Sequence, residues 1–255
     1  LPDVHVAAPV TVAGAGEMGN SVDVDPDPFA GLPKRHYGAI LADPPWKFMT
    51  LWGTDSGPGN RSADYPTMSI DEIKALPISD LAAKDSVIFV WGIWILVSEV
   101  IDIIRAWGFE YKTCAFCWLK ANAKQLDMFQ EEWPTVDIGL GYWTRANSEF
   151  CLLATRGKPK RLNADVRQGI IAPRREHSRK PDEIHQRIER LVAGPYLELF
   201  ARQHRPGWDV WGNETTKFNK PKPYDGDDDF SRSIDECYRE IRERKANGGP
   251  GWTPP

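Results

Sequence analysis

The sequence predicts a doubly wound α/β domain built on a mainly parallel sheet. Two observations carry this: short apolar runs rich in β-formers alternate with segments of helical period, and the runs at Ala39–Ala42, Ser86–Trp91 and Phe150–Ala154 carry no charged residue, as strands covered on both faces require. Length agrees, because 255 residues fit one domain with extra segments at its ends.

Ala39–Ala42 reads as the first buried strand. Ser69-Ile-Asp-Glu72 is a capping box that opens a helix through Leu76. Ser86–Trp91 is the next strand, followed by a helix from Ile95 to Trp107 that buries Val97, Ile101 and Ile104 and stops at Gly108. Strands follow over Tyr111–Trp118 and Phe150–Ala154. Pro181-Asp-Glu183 starts a helix with acidic residues in its first turn, apolar Ile184, Ile188 and Leu191 on one face and Gly194 as its stop. His185 on that helix reads as a surface or packing residue. Tyr196–Phe200 and Trp208–Trp211 complete the strands. Residues 1–28 lack either period and read as a flexible leader, residues 29–216 form the domain, and 217–255 read as a polar extension with a short amphipathic helix over Ser231–Lys245.

The formal net charge is −4, from 32 Lys plus Arg against 36 Asp plus Glu, so a polyanion must bind a local patch rather than the whole molecule. Four Cys and no signal-peptide pattern predict a reducing, cytoplasmic setting, and no run approaches a membrane span. Cys114 and Cys117 form a CxxC without a second pair, which reads as buried thiols, and no metal site is expected. No phosphate-cradling P-loop is present, which argues against a nucleoside-triphosphate enzyme.

In a doubly wound sheet, ligands bind outside the carboxyl ends of the strands. Asp43-Pro-Pro-Trp46 falls at such an end. A planar base with an exocyclic amine needs one carboxylate for the first N–H, a carbonyl for the second and an aromatic face for the ring; Asp43, the Pro44 carbonyl and Trp46 supply that set, and each proline restricts the backbone that holds it. The same tetrapeptide also suits an ordinary strand-ending turn with Trp46 covering the sheet edge. At other strand ends lie Ala201-Arg-Gln-His-Arg205 and Trp211-Gly-Asn-Glu214, whose side chains suit a small cofactor or, equally, solvated loops. Arg174 to Lys180 is a basic stretch that suits phosphate contact or a solvated loop. The aromatic loop from Trp133 to Trp143 suits an interface or ordinary surface packing.

Four ordered blocks give the chain a family resemblance: Leu41-Ala-Asp-Pro-Pro-Trp46, Tyr65-Pro-Thr-Met-Ser69, His177-Ser-Arg-Lys-Pro-Asp-Glu-Ile184 with Ile188-Glu-Arg-Leu191, and Glu198-Leu-Phe-Ala-Arg202 through Trp211-Gly-Asn213. Together they resemble the adenine-N6 methyltransferases of the MT-A family, in a compact form like those of bacteria and phages. The resemblance implies a Rossmann-like methyltransferase in which the catalytic block precedes the cofactor block, S-adenosylmethionine as donor, and adenine in DNA (slightly favoured) or RNA, single-stranded or flipped out, as acceptor. By position it implies that Asp43 and the Pro44 carbonyl hold the amine and Pro45 and Trp46 shape the base pocket. Tyr65 falls in a cofactor-gating loop, and Phe200, Arg202, His204 and Asn213 line the adenosine and ribose. Lys180 falls in a loop suited to substrate contact, with Arg174 and Arg175 beside it. Arg205 and Glu214 stand at cofactor positions where the eukaryotic catalytic subunit carries amides, and Ser148 where it carries a cofactor-contacting Lys. Family members also pair with a second copy or a relative. Two alternatives are a noncatalytic nucleic-acid-binding partner, against which the intact Asp-Pro-Pro-Trp speaks, and a protein amide-nitrogen methyltransferase, in which the cofactor block usually comes first.

Overall fold

The computed structural model describes residues 27–47, 66–121, 143–144, 146–175 and 179–219. Among them the elements are β1 (Tyr37–Ala42), α1 (Ile70–Ala75), β2 (Ala82–Gly92), α2 (Val97–Ala106), β3 (Glu110–Ala121), β4 (Ser148–Arg156), β5 (Gly169–Pro173), α3 (Glu183–Leu191), β6 (Tyr196–Leu199) and β7 (Trp208–Trp211). The strands form one sheet in the order β5-β3-β4-β2-β1-β6-β7. β1 pairs in parallel with both β2 and β6, and β6 with β7, whereas β4 runs antiparallel to β2 and β3. The sheet is therefore mainly parallel, as expected, with β4 reversed inside it.

Apolar residues fill both faces of the central strands. Ile40 and Ala42 join one core with Ile73 of α1 and Val100, Ile103 and Ile104 of α2; Ala39 and Leu41 join the other with Ile184 and Ile188 of α3. Helices thus cover both faces, and β1 is buried because its neighbours and its layers leave it no solvent side. The chain leaves β1 for β2 on one side and comes back through β6 on the other, so the strand order reverses between β1 and β6. Their carboxyl ends diverge at that switch point and open a crevice.

Local details follow the sequence closely at α1. Ser69 Oγ accepts from the Glu72 N–H at 3.2 Å, and Glu72 Oε2 accepts from the Ser69 N–H at 2.7 Å, the reciprocal capping box. The α2 expectation needs correcting: the helix begins at Val97 after a turn of 3₁₀ helix over Trp94–Leu96, and its buried stripe is Val100, Ile103 and Ile104, with Val97 and Ile101 only partly covered. Five aliphatics spread over that helix, and packing on α1, fastened where Trp107 Nε1 donates to the Ile73 carbonyl at 3.0 Å, selects which of them face inward. Gly108 stops the helix with φ +81°, a conformation that strains residues bearing a Cβ. α3 stops earlier than expected, at Val192 in extended conformation rather than at Gly194. Strand β5, which pairs with β3 at the sheet edge, was not expected at all. The leader up to residue 26 and the extension from residue 220, with its expected helix, lie outside the described residues.

Candidate active site

Asp43 leaves the end of β1 at the switch point. The prolines after it form a rigid step that is hydrogen-bonded to the start of α1: Pro45 accepts from the Met68 N–H at 2.8 Å, and the Lys47 N–H donates to the Met68 carbonyl at 3.0 Å. Asp43 is thereby carried on two anchored segments, β1 behind it and the Trp46–Met68 bridge ahead. On the other side of the crevice β6 ends at Leu199, and Phe200 takes φ +61°, a left-handed conformation that costs a residue with a side chain about 1–2 kcal/mol. The turn is supported from β7, because the Ala201 N–H donates to the Trp211 carbonyl at 2.9 Å and Gly212 lies so close that a Cβ there would come within 2.7 Å of the Ala201 carbonyl oxygen. The Phe200 ring meets Trp211 edge-on at 5.4 Å.

One cavity joins the two sides. Asp43, Lys180, Phe200, Arg202 and Arg205, all expected site residues, line it together. Lys180 Nζ donates to Asp43 Oδ2 at 2.8 Å, and the same ammonium lies 3.4 Å from Glu149 Oε2 and 5.7 Å from the centre of the Trp91 ring. Glu149 in turn pairs with Lys120 at 2.6 Å. Two carboxylates and two ammonium groups thus form one partly buried chain. Burial pushes the Asp43 carboxyl above the ordinary aspartate range, and Lys180 only partly counters it. Burial acts on Glu149 in the same sense, yet Lys180 and Lys120 outweigh it and hold that carboxyl below its ordinary range. Between the two acids, Lys180 is held well above its ordinary range despite burial.

The remaining expected residues divide. Trp46 does not line the cavity: it is 8% exposed and packs in the core beneath α1 and α2, where its apolar rings find more cover than at the crevice, and its Nε1 has no partner among the described residues. The Pro44 carbonyl already accepts from the Trp46 N–H at 2.9 Å, leaving one lone pair. Glu214 pairs with Arg202, accepting from its Nε at 3.1 Å; neither His204 nor exposed Asn213 is among the residues that line the cavity. Arg174 and Arg175 are exposed, and Arg175 is already engaged, donating to Asp182 at 2.5 Å and to the Lys180 carbonyl at 2.8 Å. Arg205 also pairs with Asp182. Tyr65, and the loop from Trp133 apart from exposed Trp143, lie outside the described residues. Ser148 accepts from Trp94 Nε1 at 2.9 Å.

Three cavity or near-cavity residues were missed. Of the two readings of His185 it is packing that holds, since the ring is buried against Trp208; unexpected is that its Nε2 lies 2.8 Å from Glu198 Oε2 and that both residues line the cavity. Glu198 stood inside a quoted block and its acidity in an apolar strand was a usable signal. Glu149 was hidden because β4 is reversed, which brings the start of that strand to the rim where the others end. Cys114 and Cys117 lie in β3, half-buried rather than in the core as expected, and burial holds both thiols above the ordinary range.

The sheet order and the carboxylate at its switch point define a Rossmann-like α/β domain. The MT-A70 family profile matches residues 37–214, and the chain belongs to that family of methyltransferases. It is 31% identical over 203 residues to the type II methyltransferase M.MunI of a Mycoplasma species, covering 73% of this chain and 81% of that protein. It is 34% identical over 185 residues to the N(6)-adenosine-methyltransferase MT-A70-like protein of Drosophila melanogaster, and 31% identical over 185 residues to the human N(6)-adenosine-methyltransferase catalytic subunit METTL3, covering 70% of this chain in both. It spans only 27% and 28% of the length of those two proteins. No described helix is long and apolar enough to cross a membrane.

Proposed function

We propose that this chain transfers a methyl group from S-adenosylmethionine to the N6 amine of adenine in nucleic acid, with DNA slightly favoured over RNA. The observation that carries the reading is Asp43 sharing one cavity with Phe200 and Arg202. The preference for DNA rests on the similarity to a type II methyltransferase along 73% of this chain.

The cavity wall suits such a donor. It sets apolar Leu41, Ile184 and Phe200 beside the Glu198 carboxylate and the Arg202 guanidinium, a mixture that matches a nucleoside joined to a zwitterion. His185 Nδ1 is buried in that wall without a partner among the described residues, an unmet hydrogen-bonding position. When bound, the donor supplies an electrophilic methyl on a sulfonium.

An adenine amino nitrogen is a weak nucleophile because its lone pair is delocalised into the ring. Asp43 accepts one N–H and the remaining lone pair of the Pro44 carbonyl accepts the other, which favours a pyramidal nitrogen and aims its lone pair. Lys180 must first release Asp43, and Glu149, 3.4 Å from the same ammonium, receives it. The freed carboxylate stabilises the positive charge that develops on nitrogen and takes the proton afterwards; removal before attack is excluded by the weak acidity of an aminopurine N–H. Incubation with labelled S-adenosylmethionine and matched single- and double-stranded DNA and RNA tests the reading: label in N6-methyladenine supports it, and label only in protein overturns it.

The charge chain sets the pH dependence. Because the folded Asp43 carboxyl is raised, kcat/KM falls on acidification earlier than a free aspartate, whose pKa is about 3.9, would require. Lys180→Met removes the cation that pulls Asp43 down, so the acid limb moves to higher pH. A kcat/KM profile, or a carboxyl carbon-13 titration where turnover is slow, checks this; a limb that stays put or moves down would contradict the coupling.

Nucleic acid must also meet the rim. Arg174 is exposed beside the Arg175–Asp182 pair, and Arg174→Glu is expected to weaken binding severalfold and lower the salt slope by about 1. An unchanged slope would place Arg174 in solvent rather than on a phosphate.

A further inference from the structure

Phe218 lies beyond the residues matched by the family and yet borders the same cavity as Asp43 and Arg202. The Arg202 guanidinium carbon stands 4.6 Å from the centre of its ring, and that of Arg179 stands 4.8 Å away. Two hydrogen bonds strap this segment along the loop after β6: the Phe218 N–H donates to the Arg202 carbonyl at 3.0 Å, and the His204 N–H donates to Asn219 Oδ1 at 2.9 Å. Arg202 is also held at its edge, where Nε donates to Glu214 at 3.1 Å. A carboxylate on the edge and an aromatic ring against the guanidinium together restrict Arg202 to a narrow set of orientations. Arg179, the other cation on the ring, directly precedes Lys180.

We propose that Phe218 is a positioning residue of the donor site, its ring fixing the guanidinium groups of Arg202 and Arg179 and so joining the donor wall to the segment that carries Lys180. The assignment rests on the donor reading given above. What the site needs from residue 218 is the electron-rich face of a ring, which attracts cations, and not bulk alone. Leucine fills similar space without that face; tyrosine keeps it.

The test is calorimetric titration of the whole chain with S-adenosylhomocysteine, which requires no turnover. Phe218→Leu is expected to bind about tenfold more weakly than the parent, the scale of a partly desolvated cation–ring contact. Phe218→Tyr is expected to bind within about twofold of it on the same scale, with both variants unfolding at the parent temperature. Should the leucine variant not fold, Phe218→Met makes the same comparison. Parent-like binding by the leucine or methionine variant would reduce Phe218 to a space filler, and an equal loss in the tyrosine variant would also overturn the proposal. If the parent itself does not bind S-adenosylhomocysteine while remaining folded, the donor reading falls, and this assignment with it. A parent that binds alongside an indifferent Phe218→Leu removes only the role of the ring.

Discussion

Asp43→Ala is expected to lower methyl transfer by at least about 10³-fold while leaving S-adenosylhomocysteine affinity within a few fold of the parent. The size follows from what the side chain does: it orients the amine, balances the charge that develops on it and accepts its proton, so alignment and electrostatics are lost together. Donor affinity survives because the wall that would hold it, Phe200 with Arg202 and Glu198, stands on β6 and the loop that follows and not on the Asp-Pro-Pro step. Removing the carboxylate leaves Lys180 with Glu149 as its remaining acidic partner among the described residues, 3.4 Å away, so the loop before α3 has a second anchor. Single-turnover transfer and calorimetry on the same preparation separate the two effects. Near-normal transfer by the variant would remove the proposed mechanism.

The second large effect is on stability. Glu149→Ala is expected to destabilise the domain by about 3 kcal/mol, because it removes the carboxylate paired with half-buried Lys120 at 2.6 Å and leaves the Lys180 ammonium to Asp43. For a domain of this size that is a fall of roughly 10 °C in the unfolding temperature. The sign with pH is set by the lowered folded pKa: the contribution is fully present above the ordinary glutamate value and is lost as the pH falls through the folded one. The difference between variant and parent should therefore be constant near neutrality and shrink only in strong acid. A melt within a degree of the parent at neutral pH would show that the chain of charges does not hold the rim. The same substitution leaves Lys180 with Asp43 as its carboxylate partner, so it should also raise KM for nucleic acid by competing with the incoming amine.

The centre of the fold was legible because it is written in short-range chemistry. The apolar run of β1, the Ser69–Glu72 box and the Ile184–Ile188 stripe each settle their own element, and the acid at the end of β1 announces the site. What depends on pairing was not legible. The direction of β4 is decided by its neighbours, so nothing local in Ser148-Glu-Phe150 says that Glu149 reaches the rim. His185 follows Ile184 on α3, and only the approach of Glu198 on β6 and of the Trp208 ring, 4.9 Å away, turns that flank of the helix inward. Trp46 shows the converse: residue type favoured a base-stacking surface, whereas the bridge to Met68 and the core beneath α1 bury it. β5 was missed because five residues ending in proline at a sheet edge carry too little pattern to separate a strand from a loop.

The most direct test of the shared cavity is a crystal structure of the protein with S-adenosylhomocysteine. The adenosyl group is expected against Phe200 and Arg202, with the sulfur turned towards the Asp43 carboxylate. A ligand seated on another face of the sheet, or bound here with its sulfur directed away from Asp43, would contradict it.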